Sequence, residues 1–300
     1  MKRTHLWKVL GPLAVLGVLL TGCVNRSNPL TQPNSRSSSS LVSEQSNNSN
    51  SALNLQDSGR STNSSSAAIS DYGGLTQTQI DELATKKFQS GQSAIIQVNN
   101  GRSTLNPNSW HSNKVIYSDL DKLNRTSSPN TGFLEEHNRA NEELRVRQTV
   151  DPTAWHHNHG KVQIYNRGHI IAYSVSAGIA QDGSYDPNST SGDQNNPKNL
   201  FTQTAFSNQK LQTIYERKVR ESIESGHKVI YQVTPIFRGS ELMARGVNLQ
   251  AISTDTSLNF NVYIFNVQPG YSFDYSNGNA TVDSEMRVPT PPSSPVFNNE

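Results

Sequence analysis

Hydrophobic and polar positions divide the chain into stretches of distinct character. Residues 76–90 read as a helix, with Thr76 or Thr78 placed to cap it and Gly91 to end it. Residues 94–98 read as a short strand followed by an Asn99-Asn100-Gly101 turn, and residues 115–117 as another strand. Residues 119–150 carry many charges without a clear period and are expected to be irregular. Residues 162–165 have strand composition, and 170–173 continue extended or enter a turn. Residues 178–197 are rich in Gly, Asp, Asn, Ser and Pro and predict a long loop, the kind that often carries function. The strongest helical signal covers 205–225. There Leu211, Tyr215, Val219 and Ile223 recur every four positions, Glu216 and Arg220 form an i,i+4 pair, and Gly226 supplies the stop. In 227–234, Val229, Tyr231 and Val233 alternate with polar or smaller residues, which predicts a half-buried strand, and 260–267 alternate similarly. Several strands with few helices predict an α+β fold with a mixed or antiparallel sheet and one long helix.

The two ends follow different rules. Lys2, Arg3 and Lys8 precede an apolar run from Val9 to Leu20. That run is too short to cross a bilayer core of roughly 30 Å, but it suits the apolar part of a signal peptide. It closes with Leu20-Thr21-Gly22-Cys23, which resembles the bacterial lipobox. The resemblance implies cleavage after Gly22 and a diacylglycerol on Cys23, anchoring the chain to the outside of the cell membrane. Serine and asparagine dominate residues 24–70, and aromatics are absent. Such a segment cannot bury enough apolar surface to offset its ordering entropy, and as a flexible coil it reaches about 40 Å. The expected organisation is a signal peptide (1–22), a lipidated cysteine with a disordered tether (23–74), one domain (75–285) and a disordered Pro-rich tail (286–300).

Composition sharpens this division. Only 33% of the chain is hydrophobic, low for a fully packed protein, as a tether and tail would produce. The single cysteine excludes an intramolecular disulfide and any site needing two thiolates. The formal charge of +2 comes from the first 70 residues, and the remainder is slightly acidic. Within that remainder 86–245 are net basic and 246–300 acidic. A basic centre is compatible with a phosphate-bearing partner but does not by itself demonstrate one.

Three islands carry the candidate chemistry: Gln163-Ile164-Tyr165-Asn166-Arg167-Gly168-His169, then Asn196-Pro197-Lys198-Asn199 leading into Gln203-Thr204, then Asn208-Gln209 opening the helix that carries Glu216. In order and spacing they resemble the DNA/RNA non-specific endonucleases of the ββα-metal (His-Me finger) group, whose signature is Asp-Arg-Gly-His, Asn-Pro-x-Asn and a helix beginning near Asn-Gln. Leu120, Asp121, Leu123, Arg125 and Trp155 resemble the stretch before that motif. The likeness is strongest to membrane-attached bacterial DNA-entry nucleases and covers about residues 110–270. It implies a ββα-metal core, hydrolysis of DNA and possible RNA substrates leaving a 5′-phosphate, and Mg²⁺ as cofactor with Mn²⁺ as the alternative.

Residue chemistry is consistent with that resemblance. A histidine that is neutral near pH 7 can take a proton from water, so His169 is the candidate general base. Gly168 is expected to allow a tight turn beside it. The resemblance assigns the metal contact to Asn208, whose neutral amide oxygen leaves the cation's charge uncancelled. On an ideal helix Glu216 lies about 80° round and about 12 Å along from Asn208. It either holds a metal-bound water or pairs with Arg220. Asn199 is expected to position that water or a phosphate oxygen, or else to be a turn residue. Arg167 is expected to bind a phosphate oxygen, or else to pair with an acid of the fold. Lys198 and Arg125 are candidates for substrate-backbone contacts.

Asn166 departs from the family pattern, which has aspartate there; the residue keeps hydrogen bonding and loses the charge. His156, His157 and His159 form a separate cluster, in which His157 and His159 would share one face of a strand and could bind a transition metal. The alternative to an endonuclease is a surface nucleic-acid-binding lipoprotein without catalysis.

Overall fold

The computed structural model describes residues 70–296. The expected signal peptide, Cys23 and most of the tether lie outside the described residues.

Five strands precede the long helix: β1 (Ile95–Gln97), β2 (Lys114–Ile116), β3 (Asn130–Leu134), β4 (Tyr165–His169) and β5 (Leu200–Thr204). Five follow it: β6 (Val229–Ile236), β7 (Gly246–Ser253), β8 (Asn259–Phe265), β9 (Tyr271–Asp274) and β10 (Asn279–Val282). Six of them form one sheet in the order β1-β8-β7-β6-β3-β2, with every pair antiparallel. The pairs β4–β5 and β9–β10 stand apart as antiparallel ribbons. The fold is therefore α+β, with an antiparallel sheet.

A first helix, α1 (Gln77–Thr85), begins at Thr76, where a capping box with Gln79 satisfies backbone donors that would otherwise be unpaired. It ends five residues before the expected stop, because Lys86 turns extended and Phe88 packs its ring against Phe265 at 5.6 Å. The long helix comprises a π-helical stretch, Ser207–Gln212, and a regular part, α2 (Thr213–Glu224). Gly226, at φ +84°, ends it as expected. Its N–H donates to the Ile223 carbonyl and that of His227 to Ser222, which is a Schellman closure.

The central strands are buried on both faces, where alternation suggested only one. Val229, Tyr231 and Val233 of β6 join Val219 and Ile223 of α2 in the main core. On the opposite face Ile230 packs with Leu105, Phe133 and Ile252. Polar side chains beside that second cluster satisfy one another. Gln232 donates to Thr131 Oγ1 at 3.0 Å, Gln250 donates to Gln232 Oε1 at 3.1 Å, and the Thr104 backbone N–H donates to Gln250 Oε1 at 2.9 Å. Paired in this way, buried amides cost little. The strand β3, within the stretch expected to be irregular, is buried throughout.

The tail also departs from expectation. Met286 and Val288 pack on the core. Arg217 Nη2 donates to the Ser293 carbonyl at 2.6 Å, Lys210 Nζ to that of Pro295 at 2.9 Å, and Ser294 Oγ to that of Lys210 at 2.7 Å. Side chains of the helix thus supply partners that a Pro-rich segment cannot find within itself.

Leu134 is fully buried and Val282 is 76% exposed. Leu134→Ala is expected to lower unfolding free energy by about 2–5 kcal/mol in urea titrations, whereas Val282→Ala is expected to stay within about 0.5 kcal/mol.

Candidate active site

The ribbon β4–β5 pairs Asn166 with Gln203 and His169 with Leu200. The chain leaves β5 at Thr204 and enters the helix at once, the Ser207 N–H donating to Thr204 Oγ1 at 3.1 Å. Two strands and a helix thereby direct Asn166, His169, Asn208 and Glu216 into one cleft of about 920 Å³. The helix opens with the π-helical turn that carries Asn208 and Gln212, a widening often found at functional sites.

Carboxamides knit this corner together. Asn166 Nδ2 donates to Asn208 Oδ1 at 3.0 Å, and Asn208 Nδ2 donates to Gln203 Oε1 at 2.9 Å. Gln203 Nε2 donates to Gln212 Oε1 at 2.9 Å. Gln212 Nε2 donates both to the main-chain carbonyl of His169 at 2.9 Å and to Glu216 Oε1 at 2.8 Å. Gln203 and Gln212 are completely buried. Gly168 has a role other than a turn. It lies inside β4, and a Cβ there would sit 2.2 Å from Gln203 Oε1 and 2.8 Å from Gln203 Cβ. The missing side chain is the space in which Gln203 lies.

His169 and Glu216 are shifted in opposite directions. Burial in the cleft wall pushes the His169 imidazole down to about 4; the Gln194 carbonyl opposes this and the Arg145 charge adds to it. His169 Nε2 lies 3.3 Å from that carbonyl, which can only accept, so Nε2 carries the hydrogen and Nδ1 is the free base. Burial pushes the Glu216 carboxyl up to about 7, against the Gln212 hydrogen bond and the charges of Arg220 and Arg145. Glu216 thus takes its hydrogen bond from Gln212, and Arg220 acts on it through charge.

Several expected site residues are engaged elsewhere. The Asn199 side chain is fully buried; its Oδ1 accepts from the Ile171 N–H at 2.8 Å and its Nδ2 donates to the Ile171 carbonyl at 3.0 Å. It clamps the segment after His169 and does not line the cleft. Arg167 reaches the cleft, but its guanidinium donates to the Val150 carbonyl at 2.7 Å, pairs with Asp151 at 2.6 Å and stacks on Trp155 at 4.2 Å. This matches its alternative reading as the partner of an acid. Arg125 is held by Asp121 and by the carbonyls of Gly239 and Glu241, away from the cleft. Lys198 pairs with Asp119 at 2.6 Å, also outside it. His156 bonds the Asn277 carbonyl, His157 meets Trp155 edge-on at the cleft and His159 is exposed. Among the described residues no three His, Cys, Asp or Glu side chains gather to hold a metal.

The cleft also contains cations that sequence reasoning did not assign to it: Arg145, Arg217 and Arg220. Two of them lie one and four residues beyond Glu216, a spacing that could have drawn attention. Arg145 falls in the stretch without periodicity. Asn208 and Glu216 offer oxygen donors for a cation in a cleft that His157 and His169 also line. Asn208 Oδ1 accepts one hydrogen bond and keeps a second lone pair, with the Glu216 carboxylate in the same cleft. One neutral ligand with a carboxylate in the same cleft fits a hard, largely hydrated divalent cation.

Residues 86–287 match the family of DNA/RNA non-specific endonucleases. A curated relative, a deoxyribonuclease of Streptococcus dysgalactiae subsp. equisimilis, is 33% identical over 73 residues, 24% of this chain. The match spans only 22% of that relative's length. Among solved structures, NucA from Streptococcus agalactiae with magnesium ion bound superposes with a TM-score of 0.56 at 26% identity, over 69% of this chain and 96% of that one. NucA with no metal bound gives 0.55 at 28%, over 69% and 95%.

Gly168→Ala is expected to cost about 1–3 kcal/mol in denaturant titrations, because Gln203 must leave its place. Linkage gives a second expectation. His169 binds fewer protons folded than unfolded between about 4 and 6.5, so its contribution to stability rises with pH across that window. Glu216 binds more protons folded between 4.5 and about 7, so its contribution falls as pH rises. Between 4.5 and 6.5 the two slopes nearly cancel, so Glu216→Gln should expose a rise of stability with pH and His169→Gln a fall, read as urea midpoints against pH.

Proposed function

Because the chain belongs to the DNA/RNA non-specific endonuclease family, we propose that it is a phosphodiester hydrolase acting on DNA, and on RNA, outside the cytoplasmic membrane. The carrying observation is that β4, β5 and the helix bring His169, Asn208 and Glu216 into one cleft. His169 Nδ1 accepts a proton from the attacking water, which its lowered pKa allows at any pH well above 4. Arg145, with its guanidinium over Tyr173 at 5.1 Å, and Arg220 bind non-bridging phosphate oxygens. Asn208 would hold Mg²⁺ or Mn²⁺, with Glu216 orienting its water shell; when bound, the cation supplies charge neutralisation at the phosphate and the leaving oxygen. Trp155, with Arg167 stacked on it, forms part of the cleft wall. The grip is on the phosphate backbone and weakens as salt rises. The lipobox-like Leu20-Thr21-Gly22-Cys23 anchors the chain through lipid, and the Ser/Asn-rich stretch holds the domain off the membrane surface.

The purified full chain should nick supercoiled plasmid with Mg²⁺ and stop when a chelator is added. His169→Ala should lose about 10²–10⁴-fold in rate. DNA binding without chelator-sensitive cleavage would instead identify a non-catalytic binder.

A further inference from the structure

The amide contacts run in one direction, and that direction is forced. Gln212 Nε2 meets the His169 main-chain carbonyl at 2.9 Å, a group that can only accept. Gln212 must therefore turn its oxygen to Gln203, which must answer with Nε2, an arrangement that the contact from the same nitrogen to Ser207 Oγ at 3.1 Å accommodates. Gln203 then shows its oxygen to Asn208, which must donate Nδ2. Asn208 is left with Oδ1 facing Asn166, which must donate in turn at 3.0 Å. Asn166 Oδ1 accepts from Gln163 Nε2 at 2.6 Å, and Gln163 Oε1 from Gln209 Nε2 at 3.0 Å, at the solvent-exposed end of the series. Reversing any member leaves two oxygens or two N–H groups face to face. In the fully buried part such a fault has no water to relieve it.

We propose that this series decides which atom of Asn208 is offered to a cation, that Gln203 and Gln212 are positioning residues for it, and that position 166 must carry a hydrogen-bond donor. The inference rests on the endonuclease reading only in treating Asn208 as the cation ligand. It gives a physical meaning to the departure from the family's aspartate. A carboxylate at 166 would face Asn208 Oδ1 acceptor to acceptor. Asn208 could relieve this only by rotating its NH₂ outward, which would remove the donor from Gln203 and turn its oxygen away from its present place. Asn166 is therefore part of a matched set.

Simple electrostatics makes the opposite prediction: a carboxylate added beside a cation site should tighten binding. Mn²⁺ affinity, read from the free-ion electron paramagnetic resonance signal, separates the two in the full chain. Asn166→Asp should weaken Mn²⁺ binding about 10- to 100-fold and lower kcat to match, with KM for plasmid little changed. Asn166→Ala should fall between that variant and the unsubstituted chain, because Asn208 keeps its bond to Gln203. Asn166→Asp binding Mn²⁺ as tightly as the unsubstituted chain, or Asn166→Ala proving the worse of the two, would overturn the proposal. Should Asn166→Asp fail to fold by circular dichroism, the exposed Gln163 carries the test. Gln163→Glu must then bind Mn²⁺ more weakly than Gln163→Ala, and equal or tighter binding rejects the idea. The binding readout needs no cleavage, so an inactive but Mn²⁺-binding chain would defeat the endonuclease reading and leave this test standing. A chain that binds no Mn²⁺ would overturn the proposal itself.

Discussion

The hydrogen bond from Gln203 Nε2 to Gln212 Oε1 joins the last strand of the ribbon to the first turns of the helix, and the site depends on it. Both side chains are fully buried, so each must find partners inside the protein or carry a desolvation penalty. Their partners are the groups proposed to act on substrate and cation: Asn208 on one side, Glu216 and the His169 backbone on the other. Other features accommodate this bond. Gly168 leaves room for Gln203, and the π-helical turn carries both Asn208 and Gln212. Asn199 fixes Ile171, two residues beyond His169. The residues that would touch substrate are thus held by a buried polar frame, and little of their geometry rests on exposed contacts.

The same burial sets the electrostatics. It drives His169 toward its neutral form and Glu216 toward its protonated form, so the cleft carries less charge than its composition suggests. Arg145 and Arg220 oppose the shift of Glu216, while Arg145 reinforces that of His169. The result is an imidazole kept neutral and a carboxyl that ionises near neutrality in one cleft, with arginines lining it as well. Arg167, expected on that ligand, is committed to Val150, Asp151 and Trp155 and builds the wall instead.

Behind the site the six-stranded sheet acts as a platform covered on both faces. Its polar ladder of Thr131, Gln232 and Gln250 allows strands with half-polar sequences to be central. Asn130 and Thr131 of β3 and Asn248 and Gln250 of β7 have the chemistry of surface residues, and their hydrogen-bond partners are what let them be buried. The tail is a related case. Proline excludes a hydrogen-bonded ladder within the segment, yet Lys210 and Arg217 bind its carbonyls from a different element.

Local sequence by itself determined what local physics controls. The Thr76 cap, the Asn99-Asn100-Gly101 turn and the Gly226 stop follow from backbone preferences within a few residues. The period of α2 follows from one apolar face. The family follows from three ordered islands. Tertiary structure alone decided which of the candidate polar residues face the cleft. Asn199, Arg125 and Lys198 have the right chemistry, but each is already bonded elsewhere in the fold. Gln203 closes the second island, but its bond to Gln212, like the place of Arg145, became visible only when distant segments met. A side chain's type states which bonds it can make, and its neighbours in three dimensions determine which of them remain available for function.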